Sequence, residues 1–323
     1  MYERFFGLRE RPFDLVANLR FLYLNRLGRE ALANLRHGLE FPGGLTLLLG
    51  NAGTGKTTLV SQALNEIDPS RVECVLLSNP TLTRSEFFEA LTHGFSLGER
   101  VGDSKTRFLA YFRARLEARR SAGLLTALVV DEAQSLPCEL LEEVRLLSNI
   151  DRPTEKLLNV VLAGQPALAE RLNDPRLYHL KQRISLRCEL TAFSFSETAA
   201  YIAGRLRIAG GQPSAIFSRE AVMAVHETTG GIPRTINVVC HNALISGFAS
   251  QTKPIVRSII DEVKHDFDLG GALSTAPVGI RAEESGAIPQ APPPPTPSRK
   301  VPALGEPLAV GGERGRPRLF NFF

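Results

Sequence analysis

The run Gly50-Asn51-Ala52-Gly53-Thr54-Gly55-Lys56-Thr57-Thr58, placed directly after the apolar stretch Leu45–Leu49, constrains this chain more than any other feature. The pattern G-x-x-x-x-G-K-[ST] needs a buried strand, a glycine turn and then a helix. Its glycines let successive backbone N–H groups turn inward around a phosphate, where a Cβ would obstruct them. The following helix aims its positive dipole end at the same anion. In that arrangement Lys56 reaches the terminal phosphates and Thr57 offers its hydroxyl to Mg²⁺. With glycine near 7% of residues, a chance match somewhere in a chain of 323 residues is roughly a one-in-a-hundred event. The sequence therefore predicts a nucleoside triphosphate site over Gly50–Thr58, rather than a glycine-rich turn with no ligand.

The surrounding pattern suits that loop. Apolar runs at Leu45–Leu49, Val72–Leu77, Leu124–Val130, Val160–Ala163 and Ile184–Leu190 read as buried strands. Helical stretches lie near Thr57–Asn65, Ser85–Phe95, Lys105–Ala118, Glu139–Leu147 and Ala167–Leu172, and another covers Arg29–Glu40. Strands alternating with helices imply crossovers and a parallel sheet. After Leu190 the pattern becomes helical, with starts expected at Ser196-Glu197, Ser218, Pro233 and Pro254. From Gly270 the composition shifts to Pro, Gly, Ala and Ser, which cannot bury enough apolar surface to fold alone.

The expected division starts with a mixed N-terminal segment that ends in a helix, over 1–43. An α/β domain over 44–192 and a helical lid over 193–268 follow, and 269–323 is a disordered tail.

Composition sets the outer bounds. Hydrophobic residues at 43% and charged residues at 22% are the balance of an ordinary soluble globular protein. A net charge of +4 permits an acidic or nucleic-acid partner without arguing for one. Cys74, Cys138, Cys188 and Cys240 are widely spaced, which fits buried free thiols in a reducing compartment. No apolar stretch approaches the roughly 18 residues of a membrane span, and the first residues lack a signal-peptide core. A cytoplasmic protein, recruited to the inner membrane only by a partner, is the expectation.

Leu128-Val129-Val130-Asp131-Glu132 is an apolar strand that ends in two carboxylates. At a strand tip beside the phosphate loop, Asp131 holds Mg²⁺, directly or through water, and Glu132 polarises the attacking water. Asn79 follows the second strand. Its amide would restrain Glu132 if the sheet places that strand beside Asp131; otherwise Asn79-Pro80 simply starts a turn. Gln165 ends the next strand, within reach of the γ-phosphate or the water, although Gly164-Gln165-Pro166 is also turn-forming. Arg183 precedes the last strand and Arg234 opens a lid helix. Spacing alone does not separate these two arginines from solvated surface charges.

Together these pieces resemble the AAA+ ATPases, and within them the general secretion pathway protein A family of bacterial ATPases. The resemblance runs from Phe6-Gly7-Leu8 and Pro12-Phe13 through Phe21-Leu22-Tyr23-Leu24 and Arg29-Glu30-Ala31-Leu32. Beyond the phosphate loop it takes in Asn79-Pro80-Thr81-Leu82, Asp131-Glu132-Ala133-Gln134 and Leu146-Leu147-Ser148-Asn149. Gly164-Gln165-Pro166, Gln182-Arg183-Ile184 and Gly231-Ile232-Pro233-Arg234-Thr235-Ile236-Asn237 complete it, over residues 1–268. It implies an AAA+ P-loop fold with a parallel central sheet, a small helical lid, a linker over 1–43 that closes over the nucleotide, and ATP with Mg²⁺ as cofactors. It also implies Gly50, Gly53, Gly55, Lys56, Thr57 and Thr58 as Walker A, and Asp131 and Glu132 as Walker B. Asn79 falls at the glutamate switch and Gln165 near sensor 1. Arg234 looks like sensor 2, and Arg183 looks like an arginine finger acting on a neighbouring subunit, which makes a homo-oligomer the expected state.

Many such proteins continue into a membrane span and a peptidoglycan-binding domain, and Gly270–Phe323 reads as neither. The apolar close Leu319-Phe320-Asn321-Phe322-Phe323 reads equally as an element that docks on a partner or a neighbouring subunit and as a frayed terminus. The leading expectation is an ATP-hydrolysing motor or switch of a secretion or envelope complex. An ATP-dependent DNA-binding regulator is the alternative, with Arg113, Arg115, Arg119 and Arg120 as its phosphate contacts. A small-molecule kinase fits poorly with the lid arginine and the acidic pair.

Overall fold

Strands buried on both faces need helices on both faces, and the chain supplies them in alternation. The computed structural model describes residues 1–16, 18–78, 81–98, 101–266 and 318–320. The strands of its main sheet are β1 (Leu45–Gly50), β2 (Val72–Leu77), β3 (Leu125–Val130), β4 (Asn159–Gly164), β5 (Ile184–Leu190) and a short β6 (Arg318–Phe320), and Asp151–Arg152 pairs with Glu155–Lys156 in a separate hairpin. The main sheet has the order β5-β1-β4-β3-β2-β6, with every neighbouring pair parallel. β4 thus separates β1 from β3, and the carboxyl ends of β1 and β3 open on the same edge. That edge is where open α/β sheets bind ligands.

The helices of this region are α1 (Tyr2–Phe6), α2 (Arg26–Glu40), α3 (Lys56–Glu66), α4 (Arg84–Gly94), α5 (Lys105–Ser121), α6 (Cys138–Leu147) and α7 (Pro166–Arg171). Side chains alternate along the strands, so each of β1–β4 feeds two cores. On one face Leu47, Val75, Leu128 and Leu162 meet Phe87, Phe108 and Phe112. On the other Leu48, Leu76, Val129 and Val161 meet Leu35, Leu59 and Val60. Each such buried Leu, Val or Phe stabilises the fold by about 1.5–3 kcal/mol. α2 starts three residues before the expected Arg29, because the Asn25 side chain accepts the Gly28 N–H at 2.8 Å and caps it.

Among the described residues, four helices of ten or more residues follow β5: α8 (Phe195–Ile208), α9 (Arg219–Thr229), α10 (Pro233–Ala249) and α11 (Arg257–Asp266). α8 is capped by Ser194, not Ser196. Glu197 stands at the third helical position and closes a capping box with Ser194, a spacing that Ser196 does not have. The expected helix start at Pro254 is displaced to Arg257. Ile255 is instead held in a bridge, donating to Ile216 at 2.8 Å and accepting from Ser218 at 2.9 Å.

The first residues join this helical region. Tyr2, Phe6, Leu8, Phe13 and Phe21 share one core with Ile202, Leu206, Val239, Leu244 and Ile260. The Arg9 N–H donates to the Ala209 carbonyl at 2.8 Å, fixing that segment to the end of α8. Of the tail expected over 269–323, only the backbone of β6 lies within the described residues.

Candidate functional site

The phosphate loop leaves β1 at Gly50 and enters α3 at Lys56. Gly53 and Gly55 have φ of 78° and 97°, the left-handed region that costs a side chain about 1–2 kcal/mol. A Cβ on Gly50 would lie 2.6 Å from Thr54 Oγ1, so the first glycine is required by space instead. Lys56 is buried, with its ammonium on the Gly50 and Asn51 carbonyls at 2.9 and 3.2 Å. The Asn51 carbonyl also accepts from Thr54, through N–H at 3.3 Å and through Oγ1 at 2.8 Å, and this closes the turn around Ala52. A buried cation held by carbonyls, at a helix start facing a cleft, suits a polyphosphate.

The carboxylates come from β3. Thr57 Oγ1 donates to Asp131 Oδ2 at 2.6 Å, so the two groups expected to hold a cation already converge. Both are hard oxygen donors, the set Mg²⁺ takes alongside phosphate oxygens and water. Among the described residues no cluster of three or more His, Cys, Asp or Glu competes as a metal centre.

Glu132 follows with φ 52°, unusual for a non-glycine residue and of a kind concentrated at functional sites. Its N–H donates to Asp131 Oδ1 at 2.9 Å, and its carboxylate accepts from Gln134 Nε2. Gln134 in turn accepts the Gln165 N–H on Oε1 at 3.0 Å. One side chain therefore ties the β3 tip to the β4 tip. Gln134 belongs to the Asp131-Glu132-Ala133-Gln134 motif, but spacing gave it no role of its own.

A cavity of about 390 Å³ extends from this edge of the sheet to the helical region. Residues 53–59 and Glu132 line one end, and Arg234 and Asn237 line its roof. The roof touches the loop directly. Arg234 N–H donates to the Gly53 carbonyl at 3.2 Å, and a Cβ on Gly53 would meet Arg234 and Ile232 at 3.0 Å.

Aromatic side chains also line the cavity. Tyr23, Phe193 and Tyr201 stand with ring centroids 5.3–6.0 Å apart, and Leu15 and Val16 are largely exposed beside them. Such a surface suits a nucleobase.

Arg205, which sequence reasoning passed over, lies between Phe21 and Tyr201, 5.3 and 5.0 Å from their centroids. It donates to the Pro12 carbonyl at 2.8 Å and the Asn237 amide oxygen at 3.3 Å. Burial lowers its pKa, and burial also raises that of Tyr201. In sequence Arg205 is one more basic residue of a helix, and only its i+4 spacing from Tyr201 marks it.

The other expected residues are distributed. Gln165 stands at the N-terminal boundary of α7 without a side-chain capping bond, and is not among the residues lining the cavity. Arg183 precedes β5 at the opposite end of the strands, since Ile184 pairs with Leu45 while Leu190 pairs with Gly50. Five or six residues of strand rise separate Arg183 from the loop by about 20 Å. Asn79 lies outside the described residues, but β2 does neighbour β3, with Leu77 opposite Val130. The basic helix face is occupied. Arg113 pairs with Glu117, Arg115 and Arg119 with Glu73, and Arg120 with Glu155, at 2.6–3.2 Å.

A parallel sheet with a phosphate loop on one strand, Asp-Glu on another and a helical lid over both defines an AAA+ P-loop fold. The AAA domain family matches residues 39–172. The chain resembles General secretion pathway protein A of Aeromonas hydrophila, to which it is 41% identical over 289 residues. That match covers 89% of this chain and 52% of the relative, so the chain spans about half the length of the curated protein it matches.

Solved structures give the same fold. Cdc6p from Pyrobaculum aerophilum superposes with a TM-score of 0.62 at 16% identity, covering 79% of this chain and 70% of that one. The Aeropyrum pernix ORC2 protein gives 0.57 at 17% identity, over 84% and 74%. No helix among the described residues is long and apolar enough to cross a membrane.

Proposed function

We propose that this chain binds ATP with Mg²⁺ and hydrolyses it, serving as a motor or switch in a bacterial secretion or envelope-assembly system. The observation that carries this reading is the convergence of Thr57, Asp131 and Glu132 beside a phosphate loop roofed by Arg234. Thr57 and Asp131 would hold the ion, which when bound neutralises charge on the β- and γ-phosphates. Lys56 and the loop N–H groups orient the phosphates. Glu132, aimed by Gln134, accepts the proton of the attacking water, and Gln165 and Asn79 tune that step. Arg234 reports the γ-phosphate to the lid. The 44–192 and 193–268 divisions are the two sides of that movement, with 1–43 closing over the base and 269–323 as an extension.

The distance of Arg183 from its own loop supports service to a neighbouring copy, and hence a homo-oligomer. The relative's name supports the secretion role, and the proposed place of action is the cytoplasm, with recruitment to the inner membrane through a partner. The ion pairs on Arg113, Arg115, Arg119 and Arg120 weigh against DNA as the partner.

Turnover measured against protein concentration tests the reading, with Glu132→Gln and Arg183→Ala beside the native chain. Native turnover per subunit should rise with concentration. Both variants should lose nearly all turnover while still binding nucleotide, since a finger in trans is worth about 10³–10⁵ in rate. Normal hydrolysis by Arg183→Ala would remove the trans assignment, and normal hydrolysis by Glu132→Gln would remove the catalytic one.

A further inference from the structure

We propose that the outer edge of β2 is a docking slot for one extended peptide strand, occupied by the chain's own segment Arg318–Phe320. Without β6, β2 would end the sheet. Its sequence, Val72-Glu73-Cys74-Val75-Leu76-Leu77, has one charge, no lysine and no proline, and its pairing with β3 is unbroken from Val72 to Leu77. Proteins usually blunt such an edge with charge, proline or a bulge. Here it is covered by a parallel partner, with Val75 opposite Arg318, Leu76 opposite Leu319 and Leu77 opposite Phe320.

The main-chain directions show which groups the slot uses. The Leu77 carbonyl accepts from Asp131 at 2.9 Å and the Arg71 carbonyl accepts from Leu125 at 2.8 Å. Residues 71, 73, 75 and 77 therefore face β3. Strand alternation turns the N–H and C=O groups of Cys74 and Leu76 to the outer edge. The register then sets the Leu76 N–H against the Arg318 carbonyl, and the Leu76 carbonyl against the Phe320 N–H.

The occupant's sequence fits the slot. Arg318-Leu319-Phe320-Asn321-Phe322-Phe323 is rich in apolar and aromatic residues that favour strands, after a Pro- and Gly-rich stretch that does not. Tethering makes docking intramolecular, so a short strand suffices to hold the site. Main-chain pairing at a sheet edge is the β-augmentation mode of peptide recognition, and competing extended peptides of this aromatic type are its ligand class. None of this depends on nucleotide chemistry, so the slot stands or falls separately from the hydrolysis reading.

Hydrogen exchange on the full chain, native against Phe320→Pro, tests it. Proline removes the N–H that faces the Leu76 carbonyl and disrupts the short strand. The Leu76 amide should exchange at least tenfold faster in the variant, while Val75 and Leu77, bonded to β3, stay unchanged. A fluorescent synthetic peptide of residues 316–323 should bind Phe320→Pro at least tenfold more tightly than the native chain, whose slot is filled. The same peptide carrying Phe320→Pro should not bind. Equal Leu76 protection in both proteins, or equal peptide binding by both, would overturn the proposal. If native Leu76 protection grew with protein concentration in step with dimerisation, the occupant would be a second copy's strand and the assignment within one chain would be wrong.

Discussion

Replacing Gln134 by alanine separates catalysis from binding at the proposed site. The Gln134 amide makes the contact from Nε2 to the Glu132 carboxylate, and its Oε1 accepts the Gln165 N–H at 3.0 Å. A hydrogen bond to a charged group is worth about 1.5–3 kcal/mol. Losing that restraint lowers the population of the aimed carboxylate by roughly 10–150-fold, at 1.36 kcal/mol per tenfold. kcat should fall by that factor. KM for ATP should stay within about twofold, because Lys56 and the loop donors are untouched.

Phosphate release at saturating ATP and Mg²⁺ gives kcat, and titration with a fluorescent ATP analogue gives binding. Gln134→Glu is the sharper variant. It keeps an acceptor for Gln165 but sets a second carboxylate against Glu132, which raises the pKa of the pair. The acidic limb of its kcat–pH profile should therefore move to higher pH. A folded Gln134→Ala protein with kcat within twofold of native would refute the aiming role.

Two other substitutions test the contacts around the cavity. Gly53→Ala should cost about 1–2 kcal/mol for its left-handed φ of 78°. Its methyl also presses Ile232 and Arg234, so nucleotide affinity should fall more than about tenfold; unchanged affinity by titration would remove the loop–roof contact from the account. Arg205→Ala should cost about 2–3 kcal/mol through the lost bond to the Pro12 carbonyl and the lost contacts with Phe21 and Tyr201. Thermal unfolding should drop by several degrees with faster proteolysis near residues 12–21, whereas a native-like Tm and cleavage rate would contradict it.

The fold was largely legible because each strand of the α/β region is a short apolar run bounded by turn residues, and that pattern reports burial directly. The phosphate loop and Asp131-Glu132 were legible because their chemistry is local in sequence. Gln134 and Arg205 were not, because their partners are distant. Gln134 meets a backbone N–H 31 residues away, and Arg205 meets a carbonyl 193 residues away. The apolar close was marked for docking on a partner or a neighbouring subunit, but its pairing as β6 with β2 of the same chain was not foreseen, for a related reason. Three residues carry no periodicity, and their strand exists only where β2 offers an edge. The misplaced helix starts at Ser196 and Pro254 were errors of local chemistry, settled by the position of Glu197 and by the bridge at Ile255.

The core shared by residues 2–21 and the helices after β5 also sets an order of events during synthesis. Tyr2 meets His241 across 239 positions, and Lys253 reaches the Phe5 carbonyl across 248. At about 5–20 residues per second, the ribosome needs roughly 10–50 s to deliver Val263 after Tyr2 has emerged. Through much of that interval Phe6, Phe13 and Phe21 lack the helices that complete their core, while β1–β5 can already pair. Residues 2–21 are thus made well before the helices they pack against, and their apolar side chains complete their burial only as α8–α11 emerge.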